Sequence, residues 1–203
     1  MEGRSKALQY GAFMSTETGA EGVERELKFA DVDLSAVRDH LESLEAESQG
    51  PPAFEDNWIF DRDKDLKGRG AVLRLRFDRK GCRLTFKGAA TFEGSVKVRP
   101  EHETVVEDGA AMRKILESLG YVAVTRYQKY REELLLGSVI IALDRTPIGD
   151  FIEIEGDGCE TVARRLGLEM EKIEKRNYLK LYEDYQKEHP DASPEMVFRE
   201  DED

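Results

Sequence analysis

The segment Val23-Glu24-Arg25-Glu26-Leu27-Lys28-Phe29 decides the fold of this chain. Side chains on a β-strand alternate between two faces, so Glu24, Glu26 and Lys28 share one face and Leu27 lies on the other. A single strand of this kind is common in an ordinary sheet with one solvent-exposed face. The fold therefore depends on whether other strands repeat the pattern.

The same alternation recurs along the chain. The charged faces carry Arg74 and Arg76, then Lys87, then Arg99, Glu101 and Glu103, then Lys129 and Arg131, and finally Glu153 and Glu155. In nearly every strand the opposite face carries large apolar side chains, which need to be covered by helices or a partner chain. Curling the sheet so that the charged faces converge produces a polar tunnel.

Eight segments have strand character, and four have helical spacing. The predicted strands are 23–29, 56–61, 71–77, 82–87, 96–107, 122–132, 138–144 and 149–155. The predicted helices are 34–44 after a cap at Asp33, 112–119 before Gly120, 159–166, and 174 to about 187. Because short turns join most strands, we predict an α+β fold, a largely antiparallel eight-stranded β-barrel with helices packed outside.

Composition divides the 203 residues into three parts. Residues 1–22 are rich in Gly, Ser, Thr and Ala without periodicity, which predicts a disordered leader. Residues 23–187 form the tunnel domain. Residues 188–203 form an acidic tail, and the stretch 183–203 holds nine acidic and two basic residues.

Charge and cysteine content exclude several classes of function. The formal net charge of -12 argues against binding to a nucleic acid polymer or an anionic membrane, because both reward a basic surface. Cys82 and Cys159, the only cysteines, suggest neither a disulfide framework nor a zinc site. The chain also lacks a signal peptide and a membrane-spanning run, so a cytoplasmic location is expected.

Charges of both signs inside a tunnel predict that the tunnel binds ions, because a buried ion is costly unless it is paired or ligated. A triphosphate can contact several Arg and Lys side chains at once. The carboxylates would repel that triphosphate unless a hard divalent cation lay between them, and oxygen ligands favour Mg²⁺ or Mn²⁺. The residues therefore predict a metal together with a small polyanion.

The sequence resembles the CYTH superfamily of triphosphate tunnel metalloenzymes, which includes class IV adenylyl cyclases and thiamine triphosphatases. Glu24-Arg25-Glu26-Leu27-Lys28 matches its Glu-x-Glu-x-Lys strand. Further motifs follow in the family's order: Leu73-Arg74-Leu75-Arg76, Thr85-Phe86-Lys87-Gly88, Arg99-Pro100-Glu101-His102-Glu103, Lys129-Tyr130-Arg131, Leu143-Asp144, Ile148 to Glu155, and Asn177-Tyr178-Leu179. The resemblance covers residues 23 to 182.

The resemblance implies roles for individual residues. It assigns metal binding to Glu24, Glu26, Glu153 and Glu155, with Asp144 or Glu103 assisting. It assigns phosphate binding to Lys28, Arg74, Arg76, Lys87, Lys129 and Arg131, and it gives Lys28, Glu103 and Asp144 catalytic roles. Arg99 serves either substrate binding or a structural ion pair with Glu101, with equal weight. Mg²⁺ or Mn²⁺ would be the cofactor.

Three functions fit this tunnel. The favoured one is hydrolysis of tripolyphosphate or a related triphosphate. The second is a class IV adenylyl cyclase acting on ATP, although Ala20-Glu21-Gly22 stands where those cyclases often carry a His-Phe pair. The third is a non-catalytic polyphosphate or nucleotide sensor. The apolar outer faces of the strands are compatible with a homodimer.

Overall fold

The structure, a computed structural model, describes residues 22–199. The predicted leader therefore lies outside the described residues, apart from Gly22. The strands are β1 (Val23–Ala30), β2 (Glu47–Ser48), β3 (Ala53–Asp61), β4 (Val72–Asp78), β5 (Gly81–Lys87), β6 (Thr91–Glu93), β7 (Val96–Val106), β8 (Val122–Leu136), β9 (Val139–Thr146) and β10 (Gly149–Glu155). The helices are α1 (Leu34–Ser43), α2 (Asp65–Gly68), α3 (Gly109–Ser118), α4 (Cys159–Arg165) and α5 (Tyr178–Glu188), with a 3₁₀ turn at Met170–Lys172.

Eight of the strands close into an antiparallel barrel. Their order around the ring is β1, β10, β9, β8, β3, β4, β5 and β7, and β7 pairs back onto β1. The short strands β2 and β6 pair outside the ring with β8 and β7. The predicted α+β barrel with eight strands is confirmed, and the sequence missed only β2, β6, α2 and the 3₁₀ turn among the elements of residues 22–199.

Two of the three apolar clusters lie outside the barrel wall, as the alternation predicts. One cluster packs α1 and α4 on the outer faces of β1, β9 and β10, through residues such as Leu41, Ile141 and Ile154. A second cluster joins α3 to β3, β4 and β5 through Leu116, Phe60 and Leu75. Burying these faces is the main stabilising term of the fold, and it leaves the opposite faces to the interior.

Helix α3 approaches the barrel closely because it begins with a glycine. A Cβ added at Gly109 would lie 2.4 Å from Phe77 Cε1 and 2.7 Å from Cys82 Sγ. Asp108 precedes it as the N-cap and accepts a 2.9 Å hydrogen bond from the backbone N–H of Ala111. The small residue and the cap together fix where α3 meets the sheet.

Helix α5 begins at Tyr178, so the predicted start at residue 174 was wrong. The Asn177 side chain caps the helix by accepting a 2.8 Å hydrogen bond from the N–H of Lys180. The preceding backbone is held in another way, since the N–H of Glu174 donates to the carbonyl of Lys28 at 2.7 Å and Ile173 bridges to Phe29. Residues 173 and 174 therefore extend alongside β1 instead of joining the helix.

A third apolar cluster closes one region of the barrel with α5. It comprises Ile59, Tyr127, Phe151, Tyr178, Leu181, Tyr182 and Met196. Met196 belongs to the segment predicted as an acidic tail, yet only 1% of its surface is exposed. Its backbone N–H donates to the carbonyl of Arg126, and its carbonyl accepts from Gln128. We call residues 193–199 the C-terminal strap.

None of the helices within residues 22–199 combines the length and apolar character needed to span a membrane.

Candidate functional site

A charged cavity of about 260 Å³ occupies the barrel interior. We call it the barrel cavity. Its charged lining residues are Glu24, Glu26, Lys28, Arg74, Arg76, Lys87, Lys97, Arg99, Glu101, Glu103, Lys129, Arg131, Glu133, Glu153 and Glu155. All the site residues named from the sequence line this cavity except Asp144. Strand alternation brings them together, because each lies on the inner face of its strand.

Three carboxylates form a compact group, the acidic trio Glu24, Glu26 and Glu155. Each offers one oxygen, and these oxygens lie within 4.8 Å of one another. Glu26 and Glu155 face each other across the β1–β10 pair. Burial and then the negative charge of Glu24 raise the pKa of Glu155 to about 8. The repulsion within the trio is the kind that a bound cation relieves.

The trio fits a hard divalent cation. Its donors are all carboxylate oxygens, which Mg²⁺ and Mn²⁺ prefer. In addition, Glu24 Oε2 is buried without a hydrogen-bond partner, so one acceptor in the trio is unused. A buried acceptor left unpaired is costly, and a cation would satisfy it.

Two lysines from neighbouring strands pair with the trio. Lys87 Nζ lies 2.5 Å from Glu24 Oε1 and 3.0 Å from Glu101 Oε2. Lys97 Nζ lies 2.6 Å from Glu26 Oε1. Burial lowers the pKa of Lys87, but Glu24 and Glu101 outweigh burial and raise it above its ordinary value. Lys87 is therefore held as a cation inside the cavity.

Arginines line another part of the wall and retain unused donors. Arg74 Nε and Arg99 Nη2 are buried without hydrogen-bond partners, whereas Arg76 Nε faces Asp78 Oδ2 at 3.5 Å. Arg74 is oriented by the Tyr127 hydroxyl, 3.3 Å from its Nη1, and Arg99 Nε donates to the carbonyl of Gly88 at 3.0 Å. The two buried N–H groups without acceptors form a site that suits an anion with many oxygens.

Arg99 does not pair with Glu101, which was the structural alternative for this residue. Glu101 instead contacts Lys87, while Arg99 faces Glu24 across the β1–β7 pair. Arg99 lines the cavity, and its Nη2 has no hydrogen-bond partner. Binding of a ligand in the cavity is therefore the better explanation of its charge than an ion pair with Glu101.

Asp144 lies on the inner face of β9, fully buried beneath Lys129 and Arg131. Its Oδ2 accepts hydrogen bonds from Lys129 Nζ at 2.9 Å, Arg131 Nη2 at 2.6 Å and the Tyr178 hydroxyl at 2.7 Å. Its Oδ1 accepts from Arg131 Nε at 2.7 Å. These four bonds use its acceptor capacity, so the geometry suits a residue that positions Lys129 and Arg131 better than a metal ligand.

Glu153 is held between two cations. Lys28 Nζ lies 3.1 Å from its Oε1, and Arg131 Nη2 contacts its Oε2. Burial raises the pKa of Glu153, but Lys28 and Arg131 outweigh burial and keep it well below its ordinary value. The Lys28 ammonium also lies 4.1 Å from the centre of the Tyr178 ring. Glu153 thus orders one cation from β1 and one from β8.

Glu103 lies among arginines and outside the acidic trio. Its Oε2 accepts a 2.7 Å hydrogen bond from the Thr85 hydroxyl and lies 3.7 Å from Arg74 Nη2 and 3.6 Å from Arg76 Nη2. Its Oε1 lies 3.3 Å from Arg83 Nε. Glu103 therefore separates the side chains of Arg74 and Arg76. Within residues 22–199 it is not one of the grouped carboxylates that could share a cation.

The sequence interpretation missed four lining or supporting residues. Lys97 shares the strand face of Arg99, so alternation alone could have identified it. Glu55 pairs with Arg76 at 3.1 Å, but it precedes the predicted start of its strand, and Glu133 follows the predicted end of β8. Tyr127 shares the strand face of Lys129, so alternation could also have identified it, but an aromatic residue on a strand is ordinarily a core residue.

Trp58 lies on the outer surface and not in the cavity. Its ring is flanked by Arg113 at 4.5 Å and Arg126 at 5.0 Å. Its indole N–H donates to Asp56 at 3.1 Å. Trp58 is thus engaged on the outer wall and does not contact a ligand inside the barrel.

Comparisons with known proteins agree with this architecture. A sequence profile described as the CYTH domain matches residues 22–181. The PH1819 protein of Pyrococcus horikoshii is similar in structure, with a TM-score of 0.67 and 27% identity over 80% of this chain and 99% of that one. A candidate adenylate cyclase from Vibrio parahaemolyticus has a TM-score of 0.71 and 21% identity over 80% of this chain and 98% of that one. No curated protein matches the sequence.

Proposed function

The chain belongs to the CYTH family, and from that premise we propose that it is a divalent-metal-dependent triphosphatase. Its substrate would be tripolyphosphate or a related triphosphate bound in the barrel cavity. The observation that carries this proposal is the set of unused buried groups of both signs. Arg74 and Arg99 offer N–H donors without acceptors, and Glu24 offers an acceptor without a donor. A polyanion together with a cation would satisfy both.

The two kinds of charge would have separate tasks. The acidic trio would hold Mg²⁺ or Mn²⁺, which supplies charge neutralisation on the phosphate oxygens and activation of water. Arg74, Arg76 and Arg99 would bind the phosphate chain, and Lys129 and Arg131, held by Asp144, would orient it. Phosphoryl transfer asks the protein chiefly for such positioning and charge stabilisation.

The proposed reaction is hydrolysis of tripolyphosphate at its terminal phosphorus. Water oxygen forms a bond to that phosphorus, and the bridging P–O bond breaks, so tripolyphosphate yields orthophosphate and pyrophosphate. Burial of the cationic side chains supports this step, because charge developing on the leaving oxygen is stabilised more strongly in a low-dielectric cavity than in water.

The aromatic residues favour an inorganic triphosphate over a nucleotide. Within residues 22–199, Tyr127 and Tyr178 are the aromatic residues that line the cavity. The Tyr127 hydroxyl interacts with Arg74, and the Tyr178 hydroxyl donates to Asp144. Trp58 lies outside. Lys28 and Lys129 lie over the Tyr178 ring, 4.1 and 5.1 Å from its centre, and Tyr127 packs against the same ring. With both rings engaged in these contacts, the cavity favours an inorganic triphosphate over a nucleobase, which supports hydrolysis of tripolyphosphate over cyclisation of ATP.

The test is product analysis with purified protein. Tripolyphosphate and ATP are incubated separately with Mg²⁺ or Mn²⁺, and orthophosphate, pyrophosphate and cyclic AMP are quantified. Orthophosphate from tripolyphosphate is expected, and Glu26→Gln, which removes one ligand charge, should abolish it. Cyclic AMP with pyrophosphate would replace this proposal by the cyclase. Tight binding of tripolyphosphate without turnover would replace it by the sensor. A cytoplasmic location and a homodimer stay predictions.

A further inference from the structure

Lys97 and Lys87 both pair with the acidic trio, but their situations differ. Lys87 has two carboxylate partners, Glu24 at 2.5 Å and Glu101 at 3.0 Å. Lys97 has Glu26 as its ion-pair partner, at 2.6 Å, and no other within residues 22–199. Both side chains are largely buried, with 17% and 13% of their surface exposed. Each lysine therefore depends on a carboxylate for its stability as a cation.

A divalent cation at the trio would compete directly with these lysines. The ammonium of Lys97 lies 2.6 Å from Glu26 Oε1, so it stands within a few ångströms of a cation bound by either oxygen of that carboxylate. An ammonium and a divalent cation on the same carboxylate repel each other strongly at such short range. Metal binding must therefore move Lys97 away from Glu26.

The displaced lysines have different alternatives. Lys87 retains Glu101, so its charge stays paired when Glu24 turns to the metal. Lys97 loses its one partner, and an unpaired ammonium in a buried site is costly. Its four-carbon side chain is flexible, and it lines the same cavity as Arg74, Arg76 and Arg99. The anion that could accept its charge there is the bound phosphate chain.

We propose that Lys97 is a displaceable counter-ion of Glu26 whose release couples the binding of metal to the binding of the phosphate chain. This inference rests on the metal and triphosphate site proposed above and adds a positioning residue to it. Without the phosphate chain, Lys97 opposes metal entry. With both ligands present, Lys97 neutralises phosphate oxygens, so each ligand favours the other.

Metal titration without any phosphate is the first test. Mn²⁺ affinity is measured by calorimetry for the wild type, Lys97→Met and Lys87→Met, with the surface variant Lys114→Met as the charge control. Lys97→Met should tighten Mn²⁺ binding by about fivefold or more, the lower end of typical coupling. Lys87→Met should tighten it less, because Glu101 already shelters that lysine. Equal tightening in both variants would show only the loss of a nearby charge and would overturn the proposal.

Phosphate binding with and without metal is the second test. Tripolyphosphate affinity is measured in the presence of EDTA, and KM is measured with metal. In EDTA, Lys97→Met should change the affinity by less than about threefold, because Lys97 remains on Glu26. With metal, it should raise KM by about fivefold or more. An equal loss under both conditions would identify Lys97 as a permanent phosphate ligand and would overturn the coupling.

Two further measurements keep the result interpretable. Circular dichroism and urea unfolding establish that the variants are folded, and Lys97→Gln replaces Lys97→Met if the latter does not fold. The Mn²⁺ titration requires no turnover. If no triphosphate is hydrolysed but Lys97→Met tightens Mn²⁺ binding selectively, the proposed hydrolysis fails while the counter-ion role stands. If the protein is active and the metal affinity of Lys97→Met is unchanged, the counter-ion role fails while the proposed hydrolysis stands.

Discussion

The Tyr178 hydroxyl donates a 2.7 Å hydrogen bond to Asp144 Oδ2, which joins the first residue of α5 to strand β9 inside the protein. Both side chains are buried. The bond places the helix against Lys129 and Arg131, because Asp144 holds these two cations as well. Closure of the barrel by α5 and orientation of two candidate phosphate ligands thus depend on one carboxylate.

Removing the hydroxyl tests this link. Tyr178→Phe should lower the free energy of unfolding by about 1.5–3 kcal/mol, since the lost hydrogen bond has a charged acceptor. It should also raise KM for tripolyphosphate, because Asp144 then holds Lys129 and Arg131 less firmly. Urea unfolding and steady-state kinetics measure the two effects. Tyr185→Phe, elsewhere on α5, is the matched control, and equal effects in both variants would contradict the link.

Asp144→Asn tests positioning against metal binding. The change leaves Lys129 and Arg131 without a full counter-charge, so the free energy of unfolding should fall by about 3–5 kcal/mol. Mn²⁺ affinity at the acidic trio should nevertheless stay within about threefold of the wild type, whereas Glu26→Gln should lose at least tenfold. Calorimetry with Mn²⁺ decides between the roles. A loss as large as that of Glu26→Gln would restore Asp144 as a metal ligand.

Glu153→Gln should abolish turnover because it removes the negative charge that pairs with two cations of the cavity. Glu153 pairs with Lys28 and Arg131, so its neutralisation should free Lys28 from its position and leave Arg131 held by Asp144. We expect kcat to fall by about 100-fold or more, while Mn²⁺ affinity changes less than in Glu26→Gln. Activity close to that of the wild type would show that neither cation needs Glu153.

The stability of the protein should depend on pH through Glu55. Burial raises its pKa, but Lys129 and Arg76 outweigh burial and lower it to about 2, from an ordinary value of 4.5. A carboxyl with a lowered pKa stabilises the fold above its unfolded pKa and loses that contribution as pH falls through the folded value. The contribution is about 3 kcal/mol at pH 7 and disappears between about pH 4.5 and pH 2.

Urea unfolding of the wild type and Glu55→Gln at several pH values measures this contribution. The two proteins should differ by about 3 kcal/mol at pH 7, and the difference should shrink steadily below about pH 4.5. Glu42→Gln, on the exposed side of α1, is the control and should show no such trend. A constant difference between pH 7 and pH 3 would contradict the assignment.

The C-terminal strap should support the site from outside the matched family region. Met196 packs with Tyr127 and Tyr178, and Tyr182 on α5 donates to the strap carbonyls of Ser193 and Glu195 at 2.7 and 2.9 Å. Met196→Ala should cost about 2–5 kcal/mol of stability and weaken tripolyphosphate binding. Val197→Ala, the neighbouring position, should cost less than about 1 kcal/mol. Thermal unfolding and KM measure both variants.

Strand alternation predicted the barrel and most of its lining, and its failures have identifiable causes. The charged faces at Glu24, Arg74 and Arg131 follow directly from period-two spacing, because the chain cannot turn one residue inward without turning its neighbour outward. Lys97 was missed although it obeys the same rule. Glu55 and Glu133 were missed because the predicted strands were too short at those ends.

Other features could not be inferred from strand periodicity. Asp144 has the spacing of an inner-face residue, yet its place behind Lys129 and Arg131 depends on contacts with Tyr178, 34 positions away in the chain. The strap was unpredictable for a similar reason. The acidic composition of residues 188–203 indicates a solvated tail, whereas Met196 and Phe198 within it pack against the barrel, and the backbone of Met196 bonds to Arg126 and Gln128. Long-range packing decided both cases.

The placement of the apolar clusters outside the barrel wall has a consequence for protein engineering. On each strand, the outward side chains pack against the helices and most inward side chains face the ligand cavity. A library that varies inward residues with unused donors, such as Arg74 and Arg99, but keeps the buried ion pairs of Glu55 and Asp144 could retarget the cavity to other polyanions on the same scaffold. A library of outward positions could stabilise the barrel without changing the side chains that would bind the ligand.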